Sequence, residues 1–185
     1  MLNKLTITKR SELRKWLLDY SQIEKECWIK YVIKTNSSVL SYLDIVEEAL
    51  CFGWIDSVKK KDESGINYQR ISPRRKGSNW TELNKERVRR LEKLGLMTDF
   101  GRKVLPNMSV ESFVIDDEIL ERLKNDIKVY QNFMSFPELY RRIRIDTIQQ
   151  VRKDKELYQR RLEKFIENTK KSVMFGTWHD DNRLI

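Results

Sequence analysis

Histidine is nearly missing from this 185-residue chain, where His179 stands alone. That excludes a histidine metal cluster and leaves a nucleophile–histidine pair with a single candidate base. Cysteine occurs twice, as Cys27 and Cys51, without CxxC spacing, so neither a disulfide scaffold nor a thiolate zinc site is expected. With three prolines and six glycines against five Trp and seven Phe, the composition is that of a folded chain rather than a disordered one. No apolar run approaches the ~20 residues needed to cross a bilayer. The stretch MLNKLTITKRSELRKW has neither an apolar h-region nor a small-residue cleavage site. These absences lead to the expectation of a cytoplasmic protein with no secretion signal, no transmembrane segment and no cofactor.

What the chain does have is charge, at 35% of residues and a formal net charge of +9. It is unevenly placed. Residues 74–103 hold ten Lys/Arg against four Asp/Glu, 111–139 hold three against seven, and 141–171 hold eleven against five. Basic segments attract polyanions, including nucleic acid; the acidic segment between them is equally able to pair with them internally.

The pattern along the chain predicts a mixed architecture. SELRKWLLDY, capped by Thr8 or Ser11, carries Leu13, Trp16, Leu17 and Tyr20 at helical spacing. ECWIKYVIK is rich in aromatic and β-branched residues and reads as a strand, followed by a TNSS turn. Ser41 with Asp44 opens a second helix, with Leu43, Val46, Ala49 and Leu50 as its buried stripe, and Gly53 ends it. WIDSVKK, KDESG and INYQRIS then predict strand, turn and strand, an antiparallel hairpin. PRRKGSNW is a basic loop, TELNKERVRRLEKLG a helix capped by Thr81 or Asn84, and a short helix begins near Thr98. Four helical segments follow, and Met174, Phe175 and Trp178 of the tail are expected to dock.

Candidate functional residues concentrate around the corner ALCFGWIDSVKKK and the loop PRRKGSNW. Cys51 reads as a small buried hydrophobe, since no base lies near it in sequence, and His179 as an exposed tail residue. Asp56 shares a strand face with Trp54 and Val58, so its carboxylate calls for a partner. Arg70, Arg74 and Arg75 are the nearby cations. Such a pair is open to two readings: a structural pin between loop and sheet, or a pocket wall shared with a ligand. PRRKGSNW, with Asn84 one turn beyond Trp80, combines guanidinium groups, a Gly-Ser turn and an indole. It suits an anion or a solvated basic loop, and lacks the spacing of a P-loop. The rows Lys85, Arg89, Lys93 and Arg141, Arg144, Arg152 read as solvated helix faces with acids interleaved, without any nucleic-acid motif.

WLLDY, ECWIKYVIK, SYLDIVEEALCFGWIDS, Tyr68 through ISPRRKGSNWTELN, and LEKLGLMTDFG together resemble the YdeI/OmpD-associated family, also labelled bacteriocin-protection proteins. The resemblance runs through most of the chain and is strongest between Ser41 and Gly101. DDEILERLKND and FMSFPELYRRIRIDTIQQVRKDKELYQRRLEKFIENTKKSVMFG resemble the family's carboxyl-terminal helices. The resemblance implies a bacterial protein linked to tolerance of bacteriocins or cationic antimicrobial peptides, in some members to an outer-membrane porin, with no established catalytic chemistry. It carries over Gly53, Trp54, Ile55, Asp56, Pro73, Arg74, Ser78, Trp80 and Asn84 as motif positions. A net charge of +9 makes the chain a poor electrostatic sponge for cationic peptides.

The sequence thus predicts an α+β fold: a small antiparallel sheet of about three strands backed by helices, with a helical carboxyl-terminal region packed against it. Residues 1–106 form the core and 107–185 the helical region and docked tail. The functional expectation is a non-enzymatic stress or antimicrobial-tolerance protein that binds a small anion or a protein partner. The ligand-binding residues expected are Trp54, Asp56, Tyr68, Arg74, Arg75, Ser78, Trp80 and Asn84. Two alternatives stand beside it: nucleic-acid binding through the basic helices, and an enzyme using Asp56 as acid or base.

Overall fold

The computed structural model describes residues 3–31 and 40–185. The end of the expected ECWIKYVIK strand and the TNSS turn lie outside the described residues. The chain divides into two compact units, Met1–Asn79 with Arg87–Pro106, and Trp80–Glu86 with Asn107–Ile185.

The first unit is built on a four-stranded sheet of order β1-β2-β4-β3. Its strands are β1 (Lys4–Leu5), β2 (Cys27–Lys30), β3 (Trp54–Lys61) and β4 (Asn67–Pro73). The three longer strands are antiparallel neighbours, as the patterning predicts. The fourth, β1, adds a parallel edge to β2; two residues are too few to show any alternation. At the β3–β4 turn, the Asp62 carboxylate accepts from the N–H groups of Ser64 and Ile66, each at 3.0 Å, a side chain standing in for backbone in a tight turn. Register slips between Asp56 and Lys59. This bulge breaks the face that Trp54, Asp56 and Val58 would share: Trp54 is 1% exposed and Val58 45%.

Helix α1 (Arg10–Tyr20) buries Leu13 and Leu17. Neither Thr8 nor Ser11 caps it through a side chain; instead the Glu12 carboxylate reaches back to the N–H groups of Thr8 and Lys9 at 2.9 and 3.1 Å, the carboxylate half of a capping box. Tyr20 is exposed rather than part of the buried stripe. Helix α2 (Tyr42–Cys51) starts as predicted: Ser41 Oγ accepts from the Asp44 N–H at 3.1 Å, and the Asp44 carboxylate accepts from the Ser41 N–H at 3.0 Å. Its burial is wider than one apolar stripe, since Glu47 and Glu48 are each 1% exposed. Helix α3 (Glu82–Lys93) has its first turn in the second unit and the rest in the first.

Helix α4 (Asp99–Arg102) is capped by Thr98, whose hydroxyl also donates to the Cys51 carbonyl at 2.6 Å. Gly101 permits this docking, because a Cβ there would lie 2.3 Å from the same carbonyl oxygen.

The second unit packs α5 (Asp117–Lys124), α6 (Ile127–Ser135), α7 (Glu138–Gln149) and α8 (Lys155–Lys170) around Phe133, Tyr140, Ile145 and Phe165. Of the tail residues expected to dock, Trp178 meets Tyr140 edge-on at 5.5 Å and Phe175 packs against the same core. Met174 remains 42% exposed.

Candidate functional site

The sharp turn from α2 into β3 sets the site. Gly53 has φ +74°, and a Cβ on it would sit 2.9 Å from the Phe100 carbonyl oxygen. Glycine therefore allows both the left-handed turn and the close approach of α4. The Gly53 carbonyl accepts the Arg74 N–H at 2.9 Å, tying the start of the basic loop to the corner. Trp54 enters β3 with its indole N–H on the Ser21 carbonyl at 3.1 Å and its ring edge-on to Trp16 at 5.9 Å.

Beside this corner opens a crevice of about 450 Å³, lined by Ser21–Lys25, Phe52, Gly53, Trp54, Pro73, Arg74, Phe100, Lys103 and Val104. That volume falls in the ~300–1,000 Å³ span of small-molecule sites. Phe52 and Trp54 are almost wholly buried, while Lys25 and Lys103 are exposed. Lys25, Arg74 and Lys103 face one lining acid, Glu24, whose carboxylate accepts from Asn3 Nδ2 at 3.0 Å. Ser21 is 3% exposed, and its hydroxyl has no partner among the described residues. The lining is thus apolar at depth and cationic outside, a chemistry suited to an anion carried on an apolar body.

Arg74 is 6% exposed, and Nη1 donates to the Asn79 carbonyl at 2.9 Å and to Ser78 Oγ at 3.3 Å. Burial pulls its pKa down to about 10, against the opposing charge of Asp56, so it remains a cation at neutral pH. The direct Arg74–Asp56 clasp suggested by the sequence is replaced by another contact. The Asp56 carboxylate accepts the Tyr42 hydroxyl at 2.7 Å and acts on Arg74 through its field. The bulge that follows Asp56 and the turning of Arg74 toward its own loop account for this. Arg70 is taken elsewhere: its Nε donates to Glu26 at 2.7 Å.

Of the residues predicted from sequence, Trp54 and Arg74 meet at the crevice, and Ser78 orients Arg74 from behind. Asp56 is half-buried outside the lining, and Arg75 is solvent-exposed. Tyr68 pairs with Lys30 and Lys60, at the far end of β4 from the Ile71 that faces Asp56. Trp80 and Asn84 belong to the second unit, where Thr81 Oγ1 accepts the Asn84 N–H at 3.2 Å; Thr81 rather than Asn84 is the capping residue. Sequence reasoning missed the wall formed by Ser21–Lys25 and by Phe100, Lys103 and Val104, which comes from segments distant along the chain.

The remaining candidates have structural roles. Burial and the nearby Glu48 charge push the Cys51 thiol up to about 12, so the thiolate needed for nucleophilic attack is suppressed. His179 Nδ1 accepts the Asn182 N–H at 3.0 Å within the tail. Of the basic rows, Lys85 pairs with Glu82 at 2.7 Å, Arg152 with Asp116, and Arg144 lies over the Phe175 ring at 4.2 Å. Among the described residues no group of His, Cys, Asp or Glu has the arrangement to hold a metal ion, and no helix is long and apolar enough to cross a membrane.

Comparison with known families divides the chain. Residues 5–104 match the family described as a domain of unknown function (DUF8412), and residues 112–172 match the family described as bacteriocin-protection, YdeI or OmpD-associated. No curated protein and no solved structure matches the chain. The motif block from Ser41 to Gly101 lies inside the first match, while the second falls on α5–α8. The carboxyl-terminal helices are thus similar to the bacteriocin-protection, YdeI or OmpD-associated family, and the chain belongs to the family of this domain of unknown function.

Proposed function

We propose that this is a non-enzymatic, cytoplasmic tolerance protein of the bacteriocin-protection type that binds a small anion-bearing ligand in the crevice beside Trp54. One observation carries the reading: Arg74, Lys25 and Lys103 converge on a crevice floored by Phe52 and Trp54. Trp54 and Phe52 serve as the apolar floor, Arg74 as the buried anion clamp, and the two lysines as the outer field that draws the ligand in. Ser78 and the Asn79 carbonyl hold the guanidinium in place, so little side-chain entropy is lost on binding. Asp56 keeps its part as a distant counter-charge, and the ligand itself supplies the acceptor.

The test is titration with 1-naphthalenesulfonate, an aromatic anion, followed by NMR shifts of Gly53 and the Trp54 indole N–H. Saturable shifts are expected, weakening on the order of tenfold in Arg74→Met, as loss of a charge-assisted hydrogen bond predicts. Unchanged binding in Arg74→Met, or shifts confined to other parts of the protein, would remove the clamp and the reading with it.

A further inference from the structure

A second site lies wholly in the helical unit and does not rest on the crevice. We propose that the pocket between the 110–115 segment, α6 and α7 binds a small monocarboxylate with a short apolar stem, its carboxylate on Arg141. The pocket is about 200 Å³ and is lined by Val110, Phe113, Ile115, Phe133, Glu138, Arg141 and Arg142. At ~30 Å³ per water this is the space of roughly seven waters, below the ~300 Å³ where drug-sized sites begin. A phenyl ring or a short alkyl chain fits it.

The two arginines at its wall differ sharply. Arg142 is ion-paired to Glu82 at 2.9 Å, Glu86 at 2.6 Å and Glu138 at 3.0 Å, which also uses the charge of the lining Glu138; its Nε meets Glu82 by charge without an aligned hydrogen bond. Arg141 meets no oxygen acceptor among the described residues: Nη1 points to the Met134 sulfur at 3.2 Å, and Nε is buried without a partner. A thioether is a weak acceptor, and a guanidinium short of acceptors beside an apolar pocket is costly unless something supplies them. Its position is set by stacking, with Cζ 5.5 Å from the ring centroid of Phe133, itself 2% exposed. Apolar volume and uncompensated positive charge therefore adjoin, and their chemical complement is a carboxylate on a hydrophobic stem.

The probe is 3-phenylpropanoate, with 3-phenylpropanamide as the uncharged match, followed by NMR shifts of Phe113, Ile115 and Phe133 in the full chain. The acid is expected to bind saturably, and the amide on the order of tenfold or more weaker. Arg141→Gln should lose the acid's advantage, and Arg141→Lys should keep part of it. Equal binding of acid and amide, wild-type affinity in Arg141→Gln, or shifts elsewhere would overturn the proposal. The ligand comparison needs no variant, so a folding defect in Arg141→Gln leaves it decisive.

Discussion

In the first unit two buried carboxylates gather three arginines; in the second one buried arginine gathers three carboxylates, Glu82 the most deeply buried of them. Glu47 and Glu48, each 1% exposed, are held by Arg10 at 2.6 Å to both, by Arg14 at 3.0 Å to Glu48 and by Arg90 at 3.0 Å to Glu47. Arg142, 7% exposed, holds Glu82, Glu86 and Glu138. The first network is redundant, because two acids are shared among three arginines. In the second, three acids share one arginine, with Lys85 also on Glu82. A buried charge that loses its partner cannot recover its hydration, so redundancy rather than the number of ion pairs should decide how each unit responds to damage.

The largest effect is expected where redundancy is least. Arg142→Met should cost about 3–5 kcal/mol in denaturant unfolding, since it removes one shared partner from three acids at once, Glu82 at 2% exposed among them. Arg10→Ala should cost less, about 1–2 kcal/mol, because Arg14 and Arg90 remain on the two acids. Equal losses in the two variants would break the comparison.

The smallest effect is a pH dependence at Asp146, 6% exposed, whose carboxylate accepts the Glu82 N–H at 3.0 Å and Gln150 Nε2 at 3.0 Å. Burial raises its pKa above the ordinary carboxylate value. The folded state thus favours the protonated form, whose stabilisation is full below the unfolded pKa and lost as pH rises through the raised one. Asp146→Asn, permanently neutral, keeps one acceptor for the Glu82 N–H while its NH2 meets the Gln150 amide turned to present its oxygen; it should melt above the wild type near pH 7, with the gap closing in acid. A gap independent of pH would show that the carboxylate bears no desolvation cost there.

Elements that declare themselves locally were legible in advance. Ser41 and Asp44 announce a helix start, Thr98 another, and Gly53 a left-handed exit; each is a few neighbouring residues satisfying backbone groups at hand. The buried pair on α2 was not: the stripe of Leu43, Val46, Ala49 and Leu50 leaves out Glu47 and Glu48, each 1% exposed. Their arginines could not be named, because Arg10 and Arg90 lie far away in sequence. Asp56 differs: charge pointed to a basic-loop arginine, while the fold brought up the neutral Tyr42 hydroxyl from the preceding helix.

The sequence by itself determined that this is an α+β chain with helices behind a small sheet, a glycine corner before Trp54 and a basic loop after the hairpin. These follow from periodicity, capping and turn chemistry, which act over a few residues. Only the tertiary structure decided that Arg74 lines a crevice with Lys25 and Lys103, that Tyr42 takes Asp56, and that Arg141 is left beside an apolar pocket while Arg142 gathers three carboxylates. Those outcomes depend on which distant side chains reach one point in space, and local rules carry no information about that convergence.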